Sequence, residues 1–122
     1  MTNEERIRAA WQGRISGCLL GKPVEMISMR EGPKGLNTFL QDSGSLPLRN
    51  YVNYMEHELL RGANKRCCLG MMDRAEVDDD ITYLVLALMM MEQYGLDLTT
   101  DDVARSWINL LPVGATFTAE RD

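Results

Sequence analysis

The sequence predicts an all-α fold. Two stretches, residues 3–20 and 79–94, repeat apolar residues at the three- and four-residue spacing of one helix face. A third, starting at Thr99 or Thr100 and stopped by Pro112, opens on a helix-capping pattern. With 122 residues, 45% of them hydrophobic, the chain is one domain at most, residues 1–122, or part of a larger one. A compact domain of this size buries about two-thirds of its unfolded surface, enough for a core.

In the first helix, Ile7, Trp11, Ile15, Cys18 and Leu19 share a face, and Gly13 and Gly17 beside it allow another backbone to come close. Gly21 is expected to end this helix, because Pro23 disfavours continuation past Leu20. Gly21-Lys22-Pro23-Val24-Glu25 is then a tight turn presenting Glu25. From Ser28 to about Gly70, glycines and prolines break the pattern into short pieces. Residues 49–54 read as a short strand or as irregular chain, and Glu56 to Arg61 as a helical turn. A loop-rich stretch of that length inside a compact domain is often functional.

The second helix runs from Asp79 to Tyr94, with Gly95 ending it and Ile81, Leu84, Val85, Leu88 and Met91 or Glu92 as its buried stripe. Met89-Met90-Met91 reads as adaptable core filling rather than a binding surface. In the third helix Asp101 and Asp102 follow the capping threonines, and Val103, Trp107, Leu110 and Leu111 form the inner face. Residues 116–122 read as the cap and first turn of a further helix, with Thr118 capping. A native domain seldom stops there, so the expectation is of a truncated chain. Helices deprived of their neighbours would expose apolar faces, so the isolated chain is expected to self-associate or to be partly molten.

Charge and composition exclude several functions. A net charge of −5, with basic residues scattered, gives no sign of a general nucleic-acid binder. Three cysteines, Cys18 and the adjacent Cys67 and Cys68, form no disulfide framework or C-x-x-C motif. The start is polar and acidic, unlike a secretory leader, and no apolar run approaches the ~18 residues of a membrane span. A reduced cytosolic setting, without a membrane partner, is expected.

The residues that point to chemistry are Asp78, Asp79 and Asp80 at the head of the second helix. Adjacent carboxylates repel, and a divalent cation relieves the repulsion; magnesium, a hard ion preferring oxygen ligands, is the natural candidate. Aspartates there also cap N–H groups and favour the positive end of the helix dipole. Successive helical residues point about 100° apart, so two of the three can face one metal while the third meets a second ion or a backbone amide. That arrangement suits a two-metal site, whose ions lie roughly 3.5–4 Å apart. His57, the sole histidine, allows no histidine metal cluster and reads as a surface residue rather than a catalyst.

Two motifs make the chain resemble the N-terminal part of the ADP-ribosylglycohydrolases. One is a helix with Arg6-Ile7-Arg8 and Gly17 leading into Gly21-Lys22-Pro23-Val24-Glu25, similar to the family's G-D-x-x-G-x-P-x-E. The other is Asp78-Asp79-Asp80-Ile81, standing where the family has Thr-Asp-Asp-Thr before a long apolar helix. The ending, Leu111-Pro112 and then Thr118-Ala119-Glu120-Arg121, also looks like a branch of this family. The resemblance implies an all-α domain with two Mg2+ ions in a cleft and hydrolysis at the anomeric carbon of ADP-ribose adducts. Asp79 and Asp80 would be metal ligands, and Asp78 would replace a metal-binding threonine. Glu25 would handle the proton or orient water beside the ions. Ile81 loses the second threonine's hydroxyl, Cys18 stands where many members have aspartate, and the distal Asp-x-Asp-Thr motif does not occur. The substrate would be a small molecule or an ADP-ribosylated one, its diphosphate held by N–H groups of glycine loops such as Gly32–Gly35 or Gly114. Two other readings stand beside this one. A non-catalytic helical module is favoured by the missing distal motif. An all-α nucleotide pyrophosphohydrolase is partly matched by Glu76-x-x-Asp79, but it needs an earlier Glu-x-x-Glu that Glu56 and Glu58 do not make.

Overall fold

A computed structural model describes residues 1–112, 114 and 116, and among them every regular element is a helix. These are α1 (Asn3–Asp42), α2 (Gly62–Arg66), α3 (Asp79–Tyr94) and α4 (Thr100–Leu110). The chain divides into two compact units, Met1–Glu76 and Val77–Asp122. No helix among the described residues is long and apolar enough to cross a membrane. The helix start expected around Thr118 lies outside the described residues.

α1 opens on a capping box. The Thr2 hydroxyl accepts the Glu5 N–H (3.2 Å) and the Glu5 carboxylate accepts the Thr2 N–H (2.7 Å). The helix does not stop at Gly21 as expected; it runs through Pro23 and breaks only at Gly32. Burial is the physical reason. Leu19, Pro23 and Ile27 stand four residues apart and are all buried, continuing the spacing of Ile7, Trp11, Ile15 and Leu19. A proline inside a helix costs roughly 3 kcal/mol. Burying an Ile-sized side chain returns about 1.5–3 kcal/mol, so the packed stripe outweighs the local signal. Glu25 therefore sits on the exposed side of a helix, not in a turn.

The break at Gly32 (φ 68°, ψ −171°) uses a conformation that only glycine adopts readily. Pro33 then begins the second half, where its missing N–H costs nothing. The stretch 28–70 is thus largely helix at its start. The irregular part from Ser43 to Arg61 is pinned by Asn53, whose backbone N–H donates to Ser45 Oγ (3.0 Å). Its side-chain amide donates to the carbonyls of Ser43 and Gly44, both at 3.1 Å. Residues 49–54 are irregular rather than a strand, and Val52 is buried with its carbonyl accepting the Leu69 N–H at 2.8 Å. The helical turn expected within Glu56–Arg61 is present, closed by the Leu60 N–H on the His57 carbonyl (3.0 Å).

The core of this unit is Ile27, Phe39, Val52, Leu60 and Cys68, with Val24, Leu40, Tyr54, Met55 and Leu59 packed around it. Cys67 and Cys68 are fully buried, and burial beside the Cys67 sulfur pushes the Cys68 thiol up to about 11.

The second unit holds α3 and α4. Both N-termini lie where the caps predicted. Asp78 caps α3, and Thr99 forms a capping box with Asp102. The buried face of α3 differs from expectation: Leu86 and Met90 are buried, whereas Val85, Leu88, Met89 and Met91 are exposed. One methionine of the three fills core. In α4 the buried residue is Ser106, while Trp107 keeps partial exposure and stacks on Tyr83 (5.2 Å between rings, 15° between planes). Leu110 is exposed and Val103 and Leu111 are half-buried, so the expected inner face is turned partly outward.

Gly32→Ala should destabilise the protein by about 1–3 kcal/mol, the cost of forcing a side chain into that backbone conformation. Gly13→Ala, on an open helix surface where an added Cβ meets nothing within 4 Å, should stabilise by about 0.5–1 kcal/mol. Urea unfolding followed by circular dichroism checks both signs.

Candidate functional site

The head of α3 carries the three carboxylates, and they do different things. Asp78 has extended backbone (φ −153°, ψ 143°) and is only 9% exposed. Its Oδ1 accepts the Asp80 N–H at 3.1 Å, and its carbonyl accepts both the N–H and the hydroxyl of Thr82 at 2.9 Å. Asp78 is therefore the N-cap. Threonine and aspartate both cap well, so aspartate at a position where the resembled family has threonine keeps the helix start intact. The hydroxyl missing at Ile81 reappears one residue later as Thr82, but it is committed to the Asp78 carbonyl.

Asp79 is half-buried and Asp80 exposed. Neither carboxylate takes part in a hydrogen bond or ion pair within its own unit among the described residues. Both sit in the first turn of a sixteen-residue helix, where the dipole favours negative charge. Magnesium is commonly held by one or two carboxylates while keeping several waters. A pair of accessible, unengaged carboxylates on one turn fits that requirement, with Asp78 stabilising the turn that carries them.

Glu25 belongs to the first unit and the aspartates to the second. Its side chain is exposed, and no hydrogen bond or ion pair holds it among the described residues. Cys18 is half-buried on α1.

The glycine loop expected to cradle a diphosphate is different from expectation. Gly32 is a helix break, and the Glu31 side chain lies against Gly35, so closely that a Cβ there would collide with Glu31 Cβ. The Glu31 side chain thus lies beside the start of the second half of α1, with its carboxylate 3.2 Å from His57 Nε2. Gly114 is flanked by residues outside those described.

His57 is half-buried rather than on the open surface. Its Nδ1 accepts the Leu59 N–H (3.2 Å), its Nε2 lies 3.2 Å from Glu31 Oε1, and its ring meets the Phe39 edge at 5.5 Å. Both nitrogens are engaged within the first unit, so His57 ties Glu31 to the turn at Leu59. A second polar feature went unread in the sequence. Glu76, 7% exposed, takes a two-pronged hydrogen bond from Arg66 (2.5 and 2.8 Å), with Arg74 at 3.9 Å. Arg66 holds the Glu76 carboxyl below the usual carboxylate range, against the burial that would raise it. The charges of Arg66, Arg74 and Glu76 were the available signal, but pairing across ten residues of irregular chain has no periodicity to reveal it. With its carboxylate so engaged, Glu76 is poorly suited to the ligand role of the pyrophosphohydrolase pattern.

Two outcomes follow from this geometry. Asp78→Ala should cost about 1 kcal/mol of stability and Asp78→Asn much less, because asparagine caps equally well; urea unfolding separates them. A carboxyl depressed in the fold stabilises at pH values above its unfolded pKa of about 4.3, and that contribution is lost as pH falls through the depressed value. Glu76→Gln should therefore lower stability at neutral pH and flatten its decline below about pH 4.3, measured by unfolding at a series of pH values.

No protein-family model, curated protein or solved structure gives a significant match to this chain.

Proposed function

We propose that the chain is the N-terminal part of an ADP-ribosylglycohydrolase-like enzyme that hydrolyses, with magnesium, the glycosidic bond at the anomeric carbon of ADP-ribose adducts in the cytosol. The observation that carries this reading is the division of labour at α3: Asp78 is committed to the cap, while Asp79 and Asp80 are unengaged in the same turn. In α1 and α4 one acid of the first turn closes a capping box, whereas in α3 neither acid after the cap has such a partner. Two further acids stand side by side in that turn, and a hard cation would relieve their mutual repulsion.

Bound there, magnesium would supply charge to hold substrate hydroxyls and to acidify water. The chain's own residues have narrower tasks. Asp79 and Asp80 provide the oxygens that bind the ions, and Asp78 keeps the turn in shape. Glu25, by the resemblance, moves a proton at the attacking water as the anomeric carbon gains oxocarbenium character. Its exposure leaves it accessible for that task.

A non-catalytic helical interaction module is the second reading. It is favoured by α3, where Val85, Leu88, Met89 and Met91 remain 38–43% exposed, an apolar face of the kind that marks protein contacts.

Magnesium separates the two. At free Mg2+ a hundred times its Kd, binding should raise unfolding free energy by about 2.7 kcal/mol. Asp79→Asn should lose that shift while keeping the helical circular dichroism spectrum. In the intact protein the same variant should lose magnesium-dependent release of ADP-ribose. A wild-type protein indifferent to magnesium, or an active Asp79→Asn variant, would overturn the enzyme reading; indifference would leave the interaction module.

A further inference from the structure

The first unit has a groove of about 360 Å³ between α1 and the loop at residues 48–51, within the roughly 300–1,000 Å³ of small-molecule pockets. Ser16, Gly17 and Leu20 line its helical side, and Leu48, Arg49, Asn50 and Tyr51 line the other. In a chain with 18 acidic and 13 basic residues, not one carboxylate lines this groove. Its polar groups are able to donate. Arg49 brings a guanidinium, and Ser16 and Tyr51 bring hydroxyls. Asn50 uses its oxygen on the Tyr51 N–H (2.8 Å) and so keeps its NH2 end for a ligand. Among the described residues, no hydrogen bond or ion pair engages the Arg49 guanidinium or the two hydroxyls.

The remaining lining is apolar, from Leu20, Leu48 and the Tyr51 ring. Gly17 leaves the helical side open, since a Cβ added there meets nothing within 4 Å. An unpaired guanidinium favours an anion, and planar oxyanions such as phosphate and carboxylate match its fork. Apolar walls beside it favour a flat, poorly hydrated body on the same molecule.

From this lining we infer that the groove binds a small anion carried on a planar apolar body, of the size of a nucleoside monophosphate. The anion meets Arg49, and the flat body meets Leu20, Leu48 and Tyr51. None of these residues belongs to the magnesium site, so the inference stands apart from the reading of the aspartates.

Calorimetric titration in EDTA, with AMP, adenosine and inorganic phosphate as separate probes, tests it. AMP should bind saturably, and adenosine and phosphate each at least tenfold more weakly, because each keeps only one half of the recognition. Arg49→Met should weaken AMP at least tenfold, the loss of one charge-assisted hydrogen bond. Gly17→Leu should fill the groove and abolish binding; leucine is a better helix former than glycine, so the fold and melting temperature should hold. Asp79→Asn should bind AMP like the wild type, which separates this site from the metal reading. Three results would overturn the inference: no saturable AMP binding, adenosine binding as tightly as AMP, or wild-type affinity in both Arg49→Met and Gly17→Leu.

Discussion

The first unit depends on one backbone constraint, the break in α1 at Gly32. Ile27 and Phe39 belong to the same core cluster, yet they are twelve residues apart on what would be one helix. In a straight helix that separation is about 18 Å along the axis and about 120° around it, too far for two side chains to share a core. The break brings them into register, and the loop then supplies Val52 and Leu60 and the turn after α2 supplies Cys68. Without it α1 would be a long rod with two unrelated apolar patches. The site residue Glu25 inherits its position from the first half of that helix, on the side opposite the Leu19–Pro23–Ile27 stripe.

Once the break is made, polar groups hold the irregular segment around it. Glu31, the last residue before Gly32, reaches His57, and His57 also takes the Leu59 N–H and meets the ring of Phe39 from the second half of α1. One imidazole thus touches both helical halves and the turn that follows. Asn53 does the same for the loop at Ser43 and Gly44, satisfying three backbone or hydroxyl groups that a strand or helix would otherwise have paired. Further along, Arg66 grips Glu76 just after Cys67 and Cys68 enter the interior. These contacts explain how a segment with few helical residues is held in place.

Where the sequence was legible, the reason was local chemistry. The bounds of α3 and α4 follow from Asp78, Gly95, Thr99 and Pro112, each of which acts on its own backbone neighbours. α1 was misread because Gly21 and Pro23 are local signals that a tertiary stripe overrides. The i, i+4 series from Ile7 to Ile27 was visible, but it competes with a strong breaker, and only the burial of Pro23 decides between them. The faces of α3 and α4 were misread for a related cause. Both sides of α3 are apolar, so periodicity cannot say whether Leu86 and Met90 or Leu84 and Leu88 turn inward. The Arg66–Glu76 pair and the Glu31–His57 pair were illegible, since ion pairs across irregular chain leave no pattern in sequence.

The candidate site shows how a capping reading and a binding reading can hold together. Three consecutive aspartates admit both, and the geometry gives the cap to Asp78. Asp78 closes the helix start, and its burial is what a cap with two helix-side hydrogen-bonding partners requires. Asp79 and Asp80, displaced by successive steps of about 100°, take no part in that cap, Asp79 half-buried and Asp80 exposed. The macrodipole stabilises an acid in this turn by roughly 0.3–1 kcal/mol, which tolerates the cluster without explaining its length. α4 likewise follows its cap, Thr99, with two acids, but there Asp102 is bound into the capping box, whereas neither Asp79 nor Asp80 has such a task. Asp79 and Asp80 are the acids that the cap itself does not use, and the proposed magnesium site rests on them for that reason.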